Sequence, residues 1–194
     1  MTTLTRPDSN SKGLVLLDRD GVLNSLVVDP EHGTIDSPLH VGEAEVFSWV
    51  PDAVLRLNRA GYGLCVVTNQ PSAAKGKTTH ANLMETHELI LRKVQAAGGR
   101  ILSSHICFHR REDGCHCRKP KTGMLEDIAA RYNVNLQGVP AVGDSLRDLT
   151  SAAKAGAQPM LVLTGKGVKT QAAGGLPEGT LIYPDLAAAV ATLV

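Results

Sequence analysis

No apolar run in these 194 residues approaches the roughly 18 residues that a bilayer-crossing helix needs. The N-terminal stretch MTTLTRPDSNSKG is polar and lacks the apolar centre of a secretory signal. Residues 1–12 are therefore expected to form a disordered leader, and the expected location is the cytoplasm. Charge of one sign is also missing: 20 Lys and Arg face 19 Asp and Glu, for a net +1. That balance removes any general electrostatic reason to bind nucleic acid or a membrane surface. No exposed apolar stripe asks for a partner, so a monomer is expected. Internal repeats and domain linkers are absent as well, and the length suits one well-buried domain, residues 13–194. Cysteine is scarce, with four in the chain, and thiols in a cytoplasmic protein stay reduced.

What is present alternates. GLVLLD (13–18), YGLCVVT (62–68), ILSSHICF (101–108), VPAVGD (139–144) and PMLVLTG (159–165) are short apolar runs suited to strands buried on both faces. Between them VPDAVLRLNRAG, THANLMETHELILRKVQAAGG, GMLEDIAARYNV and SLRDLTSAAKAG carry apolar residues at helical spacing, the second ending at Gly98. The closing EGTLIYPDLAAAVATLV offers a short strand and a helix. The pattern predicts an α/β fold, a doubly wound and mostly parallel sheet flanked by helices. Two segments look irregular, Asn24–Ser48 and the Cys-rich loop after the third strand. Long loops in compact domains are often functional.

In such sheets ligands bind beyond the carboxyl ends of the strands. Those positions hold DRDGVLN, TNQ and GDSLRD, and the third strand leads through the Cys-rich loop to RKPKTGM. Asp18, Asp20, Asp144 and Asp148 supply the oxygen ligands that Mg²⁺ prefers. Thr68 and Lys119 add a hydroxyl and an ammonium, which with a metal would neutralise a transferring phosphoryl group. One aspartate can attack phosphorus to give an aspartyl-phosphate, while another protonates the leaving oxygen and then activates water. Taken singly, each aspartate reads first as a turn former or helix cap, and Ser145 to Asp148 is a capping pattern in its own right. The joint occurrence after four strands favours the chemical reading.

The stretch CFHRREDGCHCRKP (107–120) holds three of the four cysteines. Cys107, His109, Cys115 and Cys117 form a Cys₃His set, a common structural zinc combination. His109 is preferred over His105 and His116 because it sits two residues after Cys107, on the same side of an extended chain. A disulfide and free thiols are the alternatives. Bound zinc would pin the loop 107–117 and hold the next residues, Arg118 and Lys119, over the site.

LLDRDGVLN, VVTNQ, RKP and VGDSLRD together resemble the four motifs of haloacid dehalogenase-like phosphatases, in order and in spacing, over Gly13 to about Thr170. The resemblance implies that Asp18 is the nucleophile, Asp20 the general acid/base, and Thr68 and Lys119 the phosphoryl-binding pair. It implies Mg²⁺ held by the Asp18 side chain, the Asp20 carbonyl and Asp144, with Asp148 orienting Lys119 or a metal-bound water. No insertion is large enough for a separate cap domain. The Cys loop is similar to that of the branch containing the heptose-1,7-bisphosphate 7-phosphatases and the histidinol-phosphate phosphatases. RKPKTGML is more similar to the former, which would place the chain in synthesis of the heptose precursor of lipopolysaccharide core. A small sugar phosphate would then be the substrate, with Asn69, Gln70 and Arg118 lining its pocket. The sequence departs from the family pattern at TNQPSAAKG, where Pro71 stands for the usual Ser and Lys75 for Arg, and at SLVVDPEHGTIDSP.

Overall fold

The computed structural model describes residues 12–28 and 35–194. Residues 1–11 of the expected leader and 29–34 of the irregular segment lie outside them. In chain order the elements are β1 (Gly13–Leu17), β2 (Val27–Val28), β3 (Ile35–Asp36), α1 (Val50–Arg59), β4 (Tyr62–Asn69), α2 (His80–Val94), β5 (Ser103–Cys107), α3 (Gly123–Tyr132), β6 (Pro140–Gly143), α4 (Leu146–Lys154), β7 (Gln158–Val162), α5 (Gly167–Ala173), β8 (Leu181–Tyr183) and α6 (Leu186–Ala191).

Six strands form one sheet in the order β5-β4-β1-β6-β7-β8, and each pairing in it is parallel. The period of two along each strand sends neighbours to opposite faces. Val15, Leu17, Leu64 and Val66 therefore join α1, α2 and α6 in one core. Leu14, Leu16, Cys65 and Val67 join α3 and the Ala152 side of α4 in the other. An apolar core on each face is the physical content of a doubly wound α/β sheet, and among the described residues no cap domain covers it.

The chain winds from β1 outward through β4 to β5. It then crosses back to β6, on the other side of β1, and winds outward again. This reversal opens a crevice beyond the carboxyl ends of β1, β4 and β6, where open α/β sheets bind ligands. Local chemistry sets the helix starts that border it. Thr79 caps α2 by accepting the Asn82 N–H at 3.1 Å. Asp148 caps α4 by accepting the Ser145 N–H at 3.0 Å.

Three details differ from the sequence expectation. α2 ends at Val94, because Gln95 to Gly98 turn on Ala96 N–H to Lys93 O and Gly98 N–H to Gln95 O. The fifth strand of the sequence reading stops at Val162 rather than running to Gly165, and α5 follows. Its short length and the glycines at its start hid it from periodicity. The two-residue strands β2 and β3 pair antiparallel beside the crevice.

Candidate functional site

The crevice is a cleft of about 300 Å³, and its walls include Asp18, Asp20, Thr68, Asn69, Arg118, Lys119 and Asp144. Residues spread over four strand ends thus meet in one place. Asp18 follows β1 and is tied to β6 through its own N–H, which donates to Val142 O at 2.9 Å. Lys119 reaches in from the loop after β5. Its Nζ donates to Asp18 Oδ1 at 2.9 Å and to Val67 O at 2.6 Å, and pairs with Asp148 Oδ1 at 2.6 Å. An ammonium has three donors, and here all three are used. Lys119 is 4% exposed. Burial alone would lower its pKa, but the carboxylates of Asp148 and Asp18 outweigh that and raise it.

Asp18, Asp144 and Asp148 each bring a carboxylate oxygen within 4.8 Å of the others. Crowding shows in their protonation. Burial, then the charge of Asp148, pushes Asp18 up to about 7. Burial, then the charge of Asp18, pushes Asp144 up to about 8. Burial acts upward on Asp148 too, yet the Lys119 ammonium beside it holds it below the usual carboxylate range. Asp148 serves two roles, one oxygen each: Oδ2 caps α4 and Oδ1 orients Lys119. Asp18 and Asp144, two carboxyls with raised pKa facing one cleft, offer the oxygen ligands that fit a hard divalent cation such as Mg²⁺.

Asp20 turns the other way. Its carboxylate accepts from Arg19 Nε and Nη2, at 3.1 and 2.9 Å, from Asn24 Nδ2 at 3.0 Å and from Gln70 Nε2 at 2.6 Å. Arg19 is wholly buried, while Asp20 keeps 9% exposure toward the cleft. The sharp turn that brings Asp18 and Asp20 together uses the left-handed backbone of Gly21, φ +87°. Gln70, read from sequence as a pocket residue, is 1% exposed. Its amide also donates to Thr68 Oγ1 at 2.9 Å, so it braces two site residues from behind. Asn69 does line the cleft, and its amide pairs with the Lys119 backbone at 3.2 Å in both directions.

Several contributors were missed in the sequence. Arg19 sits between the two aspartates, and Asn24 closes the same motif, yet neither showed a role there. Lys77, bound to Asp36 at 2.6 Å, and Lys166, whose N–H donates to Asp144 Oδ2 at 2.8 Å, carried no visible signal.

The Cys loop flanks the cleft. Cys107 Sγ lies 3.8 Å from Cys115 Sγ and 3.4 Å from Cys117 Sγ, and Cys117 Sγ lies 3.4 Å from Cys115 Sγ. His109 Nδ1 stands 3.7 Å from Cys107 Sγ and 3.3 Å from Cys117 Sγ. A disulfide needs about 2.0 Å, so these thiols are unlinked, and all four cysteines are free. A tetrahedron of thiolates about 2.3 Å from zinc has edges near 3.8 Å, close to the observed spacing. The four side chains therefore fit a zinc ion. His105 instead contacts Ser103 Oγ at 3.2 Å on β5. Arg118, next after the last cysteine, donates from Nη1 to His109 O at 3.0 Å.

Comparison with known proteins agrees with this geometry. The HAD-hydrolase-like family matches residues 116–189, and the polynucleotide kinase 3 phosphatase family matches residues 39–152. The D-glycero-beta-D-manno-heptose-1,7-bisphosphate 7-phosphatase of Bordetella bronchiseptica is 45% identical over 184 residues, covering 93% of this chain and 97% of that one. The enzyme of that name from Pseudomonas aeruginosa is 42% identical, covering 95% and 99%. Among solved structures, the B. bronchiseptica D,D-heptose 1,7-bisphosphate phosphatase complexed with magnesium and phosphate superposes with a TM-score of 0.85 at 44% identity, covering 93% of this chain and 97% of that one. The Burkholderia thailandensis phosphatase of that name gives 0.71 at 38%, covering 94% and 98%. Among the described residues, no helix is long and apolar enough to cross a membrane.

Proposed function

Because the chain belongs to the haloacid dehalogenase-like phosphatases, we propose that it removes the 7-phosphate of D-glycero-D-manno-heptose 1,7-bisphosphate. The observation that carries this reading is the convergence of Asp18, Asp144 and Asp148 at the cleft, with Lys119 paired to Asp18 and Asp148. It is reinforced by relatives of that activity at 42–45% identity over almost the whole chain.

In this reading an Asp18 oxygen attacks the 7-phosphorus and the bond to the sugar oxygen breaks. Asp20 gives its proton to that oxygen. Water then attacks the aspartyl-phosphate while Asp20 takes a proton back, which releases phosphate and restores Asp18. Thr68 binds the phosphoryl oxygens together with Lys119, whose donor to Asp18 turns to phosphate as Asp18 attacks, and Asp148 keeps Lys119 aimed. Asp18 and Asp144, with the Asp20 carbonyl, would hold Mg²⁺, which when bound supplies positive charge against the transferring phosphoryl group. Asn69 and Arg118 face the sugar, whereas Gln70 supports Asp20 and Thr68. Zinc on Cys107, His109, Cys115 and Cys117 acts as a staple that fixes Arg118 and Lys119, remote from the bond that breaks. The chain acts as one domain, a cytoplasmic monomer.

The test is phosphate release with Mg²⁺ from heptose 1,7-bisphosphate and from histidinol phosphate. A preference of about a hundredfold or more in kcat/KM, roughly 2.7 kcal/mol, is expected for the heptose. Equal rates on both would remove the heptose assignment. Asp18→Asn should fold normally and lose turnover by about 10⁴-fold or more, as loss of a covalent nucleophile does. Normal turnover in that variant would end the mechanism.

A further inference from the structure

Asp18 and Asp148 share the Lys119 ammonium, whereas Asp144 forms no ion pair among the described residues. Like charges this close repel, so something else must keep its carboxylate turned toward theirs. The turn between β7 and α5 does so with backbone. The Lys166 N–H donates to Asp144 Oδ2 at 2.8 Å. Thr170, inside α5, donates from its hydroxyl to the Asp144 carbonyl at 2.8 Å.

The same turn grips the first motif. Thr164 Oγ1 donates to Gly21 O at 2.5 Å. Gly165 takes a left-handed backbone, φ +58°. A Cβ there would lie 2.3 Å from Asp144 Oδ2 and 2.6 Å from the Gly21 Cα, and one on Gly21 would lie 2.1 Å from the same oxygen. Asp144 Oδ2 therefore occupies the space of two absent side chains. It sits in a socket whose walls are main chain from both ends of the fold. The hydroxyl that closes the socket belongs to Thr164, which lies outside all four sequence motifs.

We propose that Thr164 is a positioning residue for Asp144. By pinning the turn to Gly21 it places the Lys166 N–H so that the carboxylate faces Asp18, and so sets the affinity of the cleft for a divalent cation. This inference rests on the Mg²⁺-dependent reading above. A merely structural Thr164 would change melting temperature and leave metal affinity alone, and this difference separates the two roles.

The experiment is calorimetric titration of Mg²⁺ into the zinc-loaded full chain, freed of Mg²⁺, for wild type, Thr164→Val and Thr164→Ser. Thr164→Val keeps the shape and loses the donor, and should bind Mg²⁺ about three- to tenfold more weakly, the scale of one hydrogen bond. Thr164→Ser keeps the donor and should stay within about twofold of wild type. The Mg²⁺ concentration for half-maximal phosphate release should move in step. If Thr164→Val does not fold, Thr170→Val frees the Asp144 backbone carbonyl from the same turn and should weaken Mg²⁺ binding in the same direction. Wild-type affinity in the folded valine variant, or an equal loss in Thr164→Ser, overturns the proposal. Because the titration reads metal binding directly, a wild-type chain that binds Mg²⁺ but releases no phosphate would sink the substrate reading alone.

Discussion

The thiol cluster and the carboxylate cluster are built in opposite ways. Cys107, His109, Cys115 and Cys117 come from one short stretch, and their geometry is a property of a single loop. Asp18, Asp144 and Asp148 come from the ends of β1 and β6 and the first turn of α4, with Lys119 joining from 101 residues beyond Asp18. The first set can close around an ion much as a loop closes, and its stability then depends on that ion. The second is positioned by the sheet, and burial first, then the neighbouring carboxylate charges, raise the pKa values of Asp18 and Asp144. A soft, closed set suits zinc and a structural task. A hard, open set suits Mg²⁺ and a reacting phosphate.

The sharpest way to break this contrast is to remove the cation that pairs with two of the carboxylates. Lys119→Met keeps the length of the side chain and takes away the charge between Asp18 and Asp148. Turnover should fall by about 10²–10³-fold, as when a preorganised charge-stabilising donor is lost. Zinc content should stay the same, because Lys119 lies outside the ligand set. A loss of less than tenfold in a folded variant would mean that Lys119 is a structural counter-ion only.

The matching change on the thiol side should act through stability. Cys117→Ser removes the sulfur that contacts Cys107, Cys115 and His109. The variant should lose its zinc, read by metal analysis. Its melting temperature should fall by roughly 6–12 °C, which corresponds to about 3 kcal/mol in a chain of this size. Added Mg²⁺ should not restore it, since thiolates disfavour a hard ion. Full stability and full activity without zinc would dissolve the distinction between staple and reaction centre.

The two clusters were also unequally legible. The Cys₃His set could be read from spacing alone, because a local loop fixes which side chains can meet. The carboxylate set could be read only by placing each aspartate at a strand end, and that worked because buried parallel strands announce themselves as apolar runs. What escaped were contacts made by backbone or by the buried side of a motif. Gln70 was placed in the pocket by the resemblance, and its amide instead donates to Asp20 and Thr68. Lys166 uses its N–H, which no side-chain pattern reveals, and the turn that carries it was taken for the end of a strand. The same inward layer holds Arg19, whose charge faces Asp20 from full burial.

The last expected effect probes that inward layer and is confined to acid, vanishing near neutrality. His87, on α2, is 3% exposed, and neither ring nitrogen has a hydrogen-bond partner among the described residues. Burial, then the charge of Arg19, brings its pKa down to about 4 from 6.5. A depressed folded-state value means that the neutral ring contributes its full stability above about pH 6.5. That contribution drains as pH falls toward 4, where the ring must charge beside a buried guanidinium. At the acid end the loss amounts to about 3 kcal/mol, from a shift of roughly two and a half units at 1.36 kcal/mol each. His87→Met fills similar space without a titrating group. Melting temperature followed from pH 7 to 4 should fall less steeply in the variant than in wild type, with the two curves closest near neutrality. The lowered carboxyls of Asp36 and Asp148 act on both proteins alike and cancel in the difference. Parallel curves would show that the Asp20 side of the site meets acid no differently from the rest of the chain, and the inward layer would then be packing rather than an electrostatic support.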